Sequence, residues 1–159
     1  LMTKCLNWEE ASSALSTQVI LIVAASLALG AAMMTTGGAE YIAQVFVALA
    51  SDLPPGGILS ALMLLLAILT NIVSNNAAAV IGTPIAISVA SQLNLPAEPF
   101  ILAVLFGANL SYATPMAYKT NLLVMNAGGY QFSDFMRIGI PLILLMWITF
   151  SFLLNWMYL

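Results

Sequence analysis

The residues best suited to chemistry are neutral. Thr70, Asn71, Ser74, Asn75 and Asn76 crowd into the stretch 70–76, between ILSALMLLLAIL on one side and AAAVIGTPIAISVA on the other. Both flanks suit hydrocarbon, where an unpartnered polar side chain is costly unless it faces protein, water or a ligand. The cluster is therefore a candidate binding site. A second cluster, Asn109, Ser111, Tyr112, Thr114, Pro115, Lys119, Thr120 and Asn121, interrupts the next apolar run. A pair of broken apolar segments is the usual sequence pointer to the binding site of a transporter.

Composition sets the class. The chain is 62% hydrophobic and 6% charged, with a mean hydropathy of +1.05, whereas a soluble domain carries roughly 25% charged residues. It reads as an integral membrane protein in contact with the lipid bilayer. The single cysteine, Cys5, cannot form an internal disulfide, and there is no histidine for common zinc or Cys-His catalytic arrangements. No basic stripe exists to bind nucleic acid. The nine methionines form no Met-x-x-Met repeat and read as packing fill. Nothing in the residues points to an enzyme.

The elements that must position the clusters are all helical. Residues 1–14 form a polar pre-membrane segment without the pattern of a signal peptide. The chain opens on Leu, so it is expected to be a segment of a longer protein. The membrane domain, 15–159, begins with a spanning helix over 15–34. Residues 39–50 are too short to span; Glu40 and Gln44 lie beside Ile42, Val45, Phe46 and Leu49, predicting an amphipathic helix at the interface. Residues 58–93 carry two short apolar arms joined by Ser74-Asn75-Asn76, which predicts a re-entrant hairpin with its polar tip near the midplane. Gly82 and Pro84 are expected to bend its second arm. Residues 100–126 form one crossing broken at Thr114-Pro115, and 132–158 a last spanning helix with Trp147, Trp156 and Tyr158 near the headgroups. If Lys4 is cytoplasmic, the hairpin opens from the outside and Arg137 is cytoplasmic, as the positive-inside rule favours.

Blander roles stand beside these. Asn71, Asn109 and Ser111 suit interhelical hydrogen bonds as well as ligand contacts. Glu40 is expected to face headgroups. Pro84 and Pro115 by themselves signify kinks.

The clusters carry a resemblance. Ser74-Asn75-Asn76, flanked by Thr70 and alanine-rich sequence, resembles the Ser-Asn-Thr hairpin tip of the divalent anion:sodium symporter family. Ala113-Thr114-Pro115 resembles the loop of that family's broken helix, and Gly128-Gly129-Tyr130 with Phe132-Ser133-Asp134-Phe135 and Arg137-Ile138-Gly139 resembles the turn into its final helix. Cys5-Leu6, Glu9-Glu10-Ala11 and Tyr118-Lys119-Thr120-Asn121 are similar to the branch with cytosolic regulatory domains between its membrane halves. The chain departs from the pattern at Asn76, where Thr is usual, and at Met116, where dicarboxylate carriers commonly have Pro.

The resemblance implies an elevator-type transporter of two inverted repeats, of which this chain holds most of the second, in a multi-pass protein of the inner (plasma) membrane. It implies a first-half repeat as partner, a homodimer, Na+ as coupling ion and a small divalent anion as substrate, with sulfate before a dicarboxylate. Carried over residue by residue, Thr70, Asn75 and the carbonyls of Val73 and Ala113 would line a sodium site. Ser74, Asn75 and Asn76, with Thr114-Pro115, would hold the anion through neutral donors, so that sodium supplies the compensating charge. Lys119 is a contact for substrate, a cation at the cytoplasmic mouth or a partner of Asp134. The alternatives are a sodium/proton antiporter, which needs an intramembrane carboxylate that Glu9, Glu10, Glu40, Asp52, Glu98 and Asp134 do not provide, and a membrane fragment that does not transport.

Overall fold

The structure, a computed structural model, describes residues 17–50 and 52–159. The pre-membrane segment read at 1–14, the start of the first crossing, and Lys4 and Cys5 lie outside the described residues. Among the described residues seven α-helices follow one another: α1 (Thr17–Thr35), α2 (Gly38–Leu49), α3 (Pro55–Thr70), α4 (Asn75–Gln92), α5 (Ala97–Asn109), α6 (Lys119–Gly128) and α7 (Phe132–Tyr158). A short 3-10 turn, Pro115–Ala117, lies between α5 and α6. No strand occurs among the described residues.

Local chemistry sets the ends. Gly37 adopts a left-handed φ of 73° between α1 and α2, and Gly129 one of 66° after α6, conformations that favour glycine. Pro55 opens α3 where its missing N–H costs nothing. Ser74 caps α4 by accepting the Ala77 N–H at 3.3 Å. Gln131 and Asp134 form a reciprocal capping box at the start of α7, with the Gln131 N–H donating to the Asp134 carboxylate at 2.8 Å.

The hairpin α3–α4 and the helix α5 form the core. Leu59, Leu62 and Met63 of α3, Ala86 and Val89 of α4, and Phe100 and Ala103 of α5 are all shielded from solvent. Two glycines let the helices close on Leu66. A Cβ at Gly107 would stand 2.7 Å from the Met63 carbonyl oxygen and 2.9 Å from Leu66 Cβ; one at Gly82 would stand 2.7 Å from Leu66 Cδ1. Such distances leave no room for a methyl group, so α3 and α5 approach at backbone range.

Helix α7 docks along this core with one face. Trp147 Nε1 donates to the Ser60 carbonyl at 2.9 Å, Ser60 and Ser151 share a hydroxyl bond of 2.8 Å, and the rings of Phe106 and Phe150 stack at 4.3 Å. Near the start of α7, Gly139 abuts the backbone of Tyr112 and Ala113. The other face, with Ile138, Leu145, Ile148, Phe152 and Trp156, is exposed and apolar, as a lipid-facing surface must be. Among the described residues α7, 27 residues long with an 18-residue stretch of mean hydropathy 2.0, is the helix long and apolar enough by itself to cross a bilayer. Helices α2, α3 and α5 are apolar but shorter.

Two boundaries differ from the sequence reading. The hairpin starts at Pro55, not Ile58, and its non-helical tip is Asn71–Ser74, so that Asn75 and Asn76 already belong to α4. The broken crossing leaves helical geometry after Asn109, several residues before Thr114-Pro115. Pro84 is buried inside α4, which continues through it, with Thr83 Oγ1 donating to the Ala79 carbonyl at 2.7 Å. Helix α2 turns Ala39 and Ala43 inward and leaves Tyr41, Ile42, Val45 and Leu49 exposed. Its bulky apolar face is thus free to meet lipid, and Glu40 is also exposed.

Candidate functional site

The hairpin tip and the break meet. Where α5 stops, its last carbonyls lose their helical donors, and residues 110–114 cross without regular structure. Side chains from three directions satisfy them. Asn71 Nδ2 donates to the Leu110 carbonyl at 2.8 Å, and Asn71 Oδ1 accepts the Ala113 N–H at 3.0 Å. Asn121, near the start of α6, donates to the Ser111 carbonyl at 3.0 Å and the Thr114 carbonyl at 3.3 Å. Thr70, fully buried, lies 2.7 Å from the Ala108 carbonyl oxygen and 2.8 Å from the Asn75 side-chain amide.

One hydrogen decides the orientation of Asn75. A threonine hydroxyl has a single hydrogen to give. The Ala108 carbonyl has none, so Thr70 must donate there, and the hydrogen between Thr70 and Asn75 must come from the amide NH2. This choice of amide orientation turns the Asn75 oxygen toward Ser111, whose hydroxyl is 3.2 Å from the amide. The chain of donation then runs Ser111 to Asn75 to Thr70 to Ala108. Among the described residues no buried side-chain nitrogen or oxygen is left unpartnered.

A cavity of about 300 Å³ opens beside this network, lined by Asn75, Asn109, Ser111, Tyr112, Tyr118 and Asn121. Every lining residue is uncharged. Asn121 commits both amide hydrogens as described and leaves its side-chain oxygen over, while Asn109 gives one amide hydrogen to the Leu105 carbonyl at 2.7 Å and keeps its oxygen and a second N–H. Neutral oxygens suit a hard monovalent cation.

The residues singled out from sequence take different places. Thr70 and Asn75 join the network; Ala113 is buried beside Asn71, and Val73 is half-buried in the tip. Ser74 and Asn76 are exposed at the N-terminus of α4, an 18-residue helix whose first turn presents backbone N–H groups. Thr114 gives its hydroxyl hydrogen to the Asn71 carbonyl at 2.7 Å, which leaves it none for an anion in this arrangement. Pro115 is buried and opens the 3-10 turn. Lys119 is exposed at the first position of α6, and the Asp134 carboxylate is engaged in its own cap. Asn121, named above in the second polar cluster, and Tyr118, quoted above only for its resemblance, line the cavity. No group of three or more cysteines or carboxylates stands ready to hold a metal among the described residues.

Comparison with known proteins adds the family. The citrate transporter family profile matches residues 1–159. The chain belongs to that family, and to the divalent anion:sodium symporters. It is similar to the probable sodium/sulfate cotransporter 3 of Chlamydomonas reinhardtii, 33% identical over 158 residues, covering 99% of this chain and 18% of that protein. An uncharacterized transporter of Synechocystis sp. is 38% identical over 138 residues, 87% of this chain and 22% of the relative. Solute carrier family 13 member 2 of Rattus norvegicus is 27% identical over 134 residues, 84% of this chain and 23% of the relative. The chain spans about a fifth of the length of these relatives. Membership in this symporter family implies a multi-pass helical membrane protein.

Proposed function

We propose that this chain forms most of the second inverted repeat of a secondary active transporter that takes up a small divalent oxyanion together with sodium. The observation that carries the reading is the junction of two helix breaks: exposed Ser74 and Asn76 at the start of α4 stand next to a network of neutral oxygens around Asn75 and Ser111. Donors at a helix N-terminus attract an anion, and neutral oxygens attract a hard cation. With no charged side chain in the cavity, each ion supplies the counter-charge the other needs, so binding is coupled.

In this reading Thr70, Asn75 and the carbonyls of Val73 and Ala113 hold sodium, which requires the Asn75 amide to turn its oxygen from Ser111 toward Thr70. Ser74, Asn75 and Asn76 hold the anion by hydrogen bonds. Thr114 and Pro115 shape the break, and Thr114 joins the anion only if it releases Asn71. Sulfate is the first choice because relatives covering nearly the whole chain are named sodium/sulfate cotransporters; a dicarboxylate is second. The packed unit of α3, α4, α5 and α7 moves as an elevator against a scaffold that includes α1 and the other repeat, in a homodimer of the inner membrane.

The test is uptake of labelled sulfate, succinate and citrate into proteoliposomes holding the transporter, with and without an inward sodium gradient. Sodium-dependent sulfate uptake resisting the other two anions is the expected result. Sodium-driven proton movement without anion uptake would replace this reading by an antiporter.

A further inference from the structure

Asn71 spends every polar atom it has on the protein. Its amide NH2 donates to the Ala67 carbonyl at 2.7 Å and the Leu110 carbonyl at 2.8 Å; its side-chain oxygen accepts the Ala113 N–H at 3.0 Å. Its backbone carbonyl accepts the Thr114 hydroxyl at 2.7 Å, and its backbone N–H donates to the Ile68 carbonyl at 3.2 Å. No hydrogen is left for an anion. The same side chain caps α3, through Ala67, and grips the break at both Leu110 and Ala113. Asn121 also grips the break, at Ser111 and Thr114, but from α6, which continues the same crossing.

We infer that Asn71 is a positioning residue: it fixes the hairpin tip to the break and so sets the mutual placement of the Val73 and Ala113 carbonyls, which belong to different elements. The inference rests on the sodium-coupled reading above. A sodium ion shared between the two carbonyls binds well only if they are held at a fixed separation, since ordering them on arrival would reduce the affinity. Asn71 stands between them in the chain of contacts, two residues before Val73 and bonded to the amide of Ala113 itself. Loss of the side chain removes bonds to two backbone groups across the junction, the Leu110 carbonyl and the Ala113 N–H, so sodium affinity should fall while the start of α4 keeps its Ser74 cap.

Two readouts test this in the whole transporter. Hydrogen exchange in the wild type comes first: the Ala113 amide lies outside any helix, yet it should exchange at least about a hundredfold slower than a free amide, because its release requires the tip and the break to part. Exchange at the rate of an open loop would overturn the clamp without any variant. In Asn71→Ala the same amide should lose its protection, whereas Asn71→Asp, which keeps the acceptor oxygen, should retain it.

The second readout is the sodium dependence of uptake. Asn71→Ala should raise the sodium concentration for half-maximal uptake about tenfold and leave the anion KM at saturating sodium within about twofold of wild type. A freed Ala113 amide with unchanged sodium half-saturation would sink the positioning role. An equal rise in both constants would also count against it, as general loosening. If wild-type protein shows no sodium-dependent uptake, the transport reading fails, while exchange at Ala113 still decides whether Asn71 joins the two elements.

Discussion

At the scale of single residues, the candidate site is built from uncharged side chains. Asn75 joins Thr70 to Ser111, and truncating it breaks both links. Asn75→Ala should lower sodium-dependent uptake by roughly a hundredfold or more, since it removes hydrogen bonds and a proposed ligand for both ions; surface expression, measured in parallel, should be unchanged. Normal transport would sink the site assignment. Thr70→Val is a near-isostere that leaves the Ala108 carbonyl and the Asn75 amide facing a methyl group in a fully buried position. The cost should be about 1–3 kcal/mol, read as a lowered thermal unfolding midpoint in detergent. Polar types in an apolar run made these two residues legible in the sequence. The distinct duties of Asn71 and Asn121 were not, because an asparagine that serves the backbone and one that serves a ligand look alike until their partners are seen.

At the scale of elements, the hairpin and the broken crossing are held by close approach as much as by hydrogen bonds. Gly107→Ala would push a Cβ to 2.7 Å from the Met63 carbonyl oxygen, backbone that cannot rotate away. Overpacking of this kind typically costs about 1–3 kcal/mol, and a thermal shift comparing it with Gly30→Ala should show the contrast, since nothing lies within 4 Å of a Cβ at Gly30. An equal effect of the two substitutions would deny the tight α3–α5 contact. The turn at Gly128-Gly129 is legible along the chain, whereas Pro55 reads as loop and Ser74 as part of the tip, because a proline can open a helix as readily as end one and a polar tip residue can be a helix cap. The end of α5 is not legible. Leu110, Ser111, Tyr112 and Ala113 include no helix breaker, and the chain leaves the helix there because Thr70, Asn71 and Asn121 take over the backbone groups.

At the scale of the molecule, topology makes a claim about sides. The arms of the hairpin return to the side from which they left, with Gln92 donating to the Glu40 carbonyl of α2 at 3.4 Å, whereas α7 runs from beyond the break at Phe132 back to Tyr158, which donates to Glu98 at 3.3 Å. In a background with Cys5 and every other cysteine of the transporter replaced, Asp52→Cys and Ser91→Cys should react with an impermeant thiol reagent from one side of the membrane, and Ser133→Cys from the other. Labelling of Ser91→Cys and Ser133→Cys from a common side would refute the re-entrant hairpin. Sequence alone revealed a membrane protein, its helices and their order; the pairing of tip with break needed three dimensions, since Thr70 and Ala108 are 38 positions apart. The indole of Trp147 is half-buried against the hairpin with its N–H on Ser60, while that of Trp156 is 77% exposed. The molecule thus carries its own optical gauge: with every other tryptophan replaced, Trp8 and Trp156 included, the emission colour of Trp147 should redden whenever α3 and α7 separate, allowing the hairpin to be watched without an attached dye.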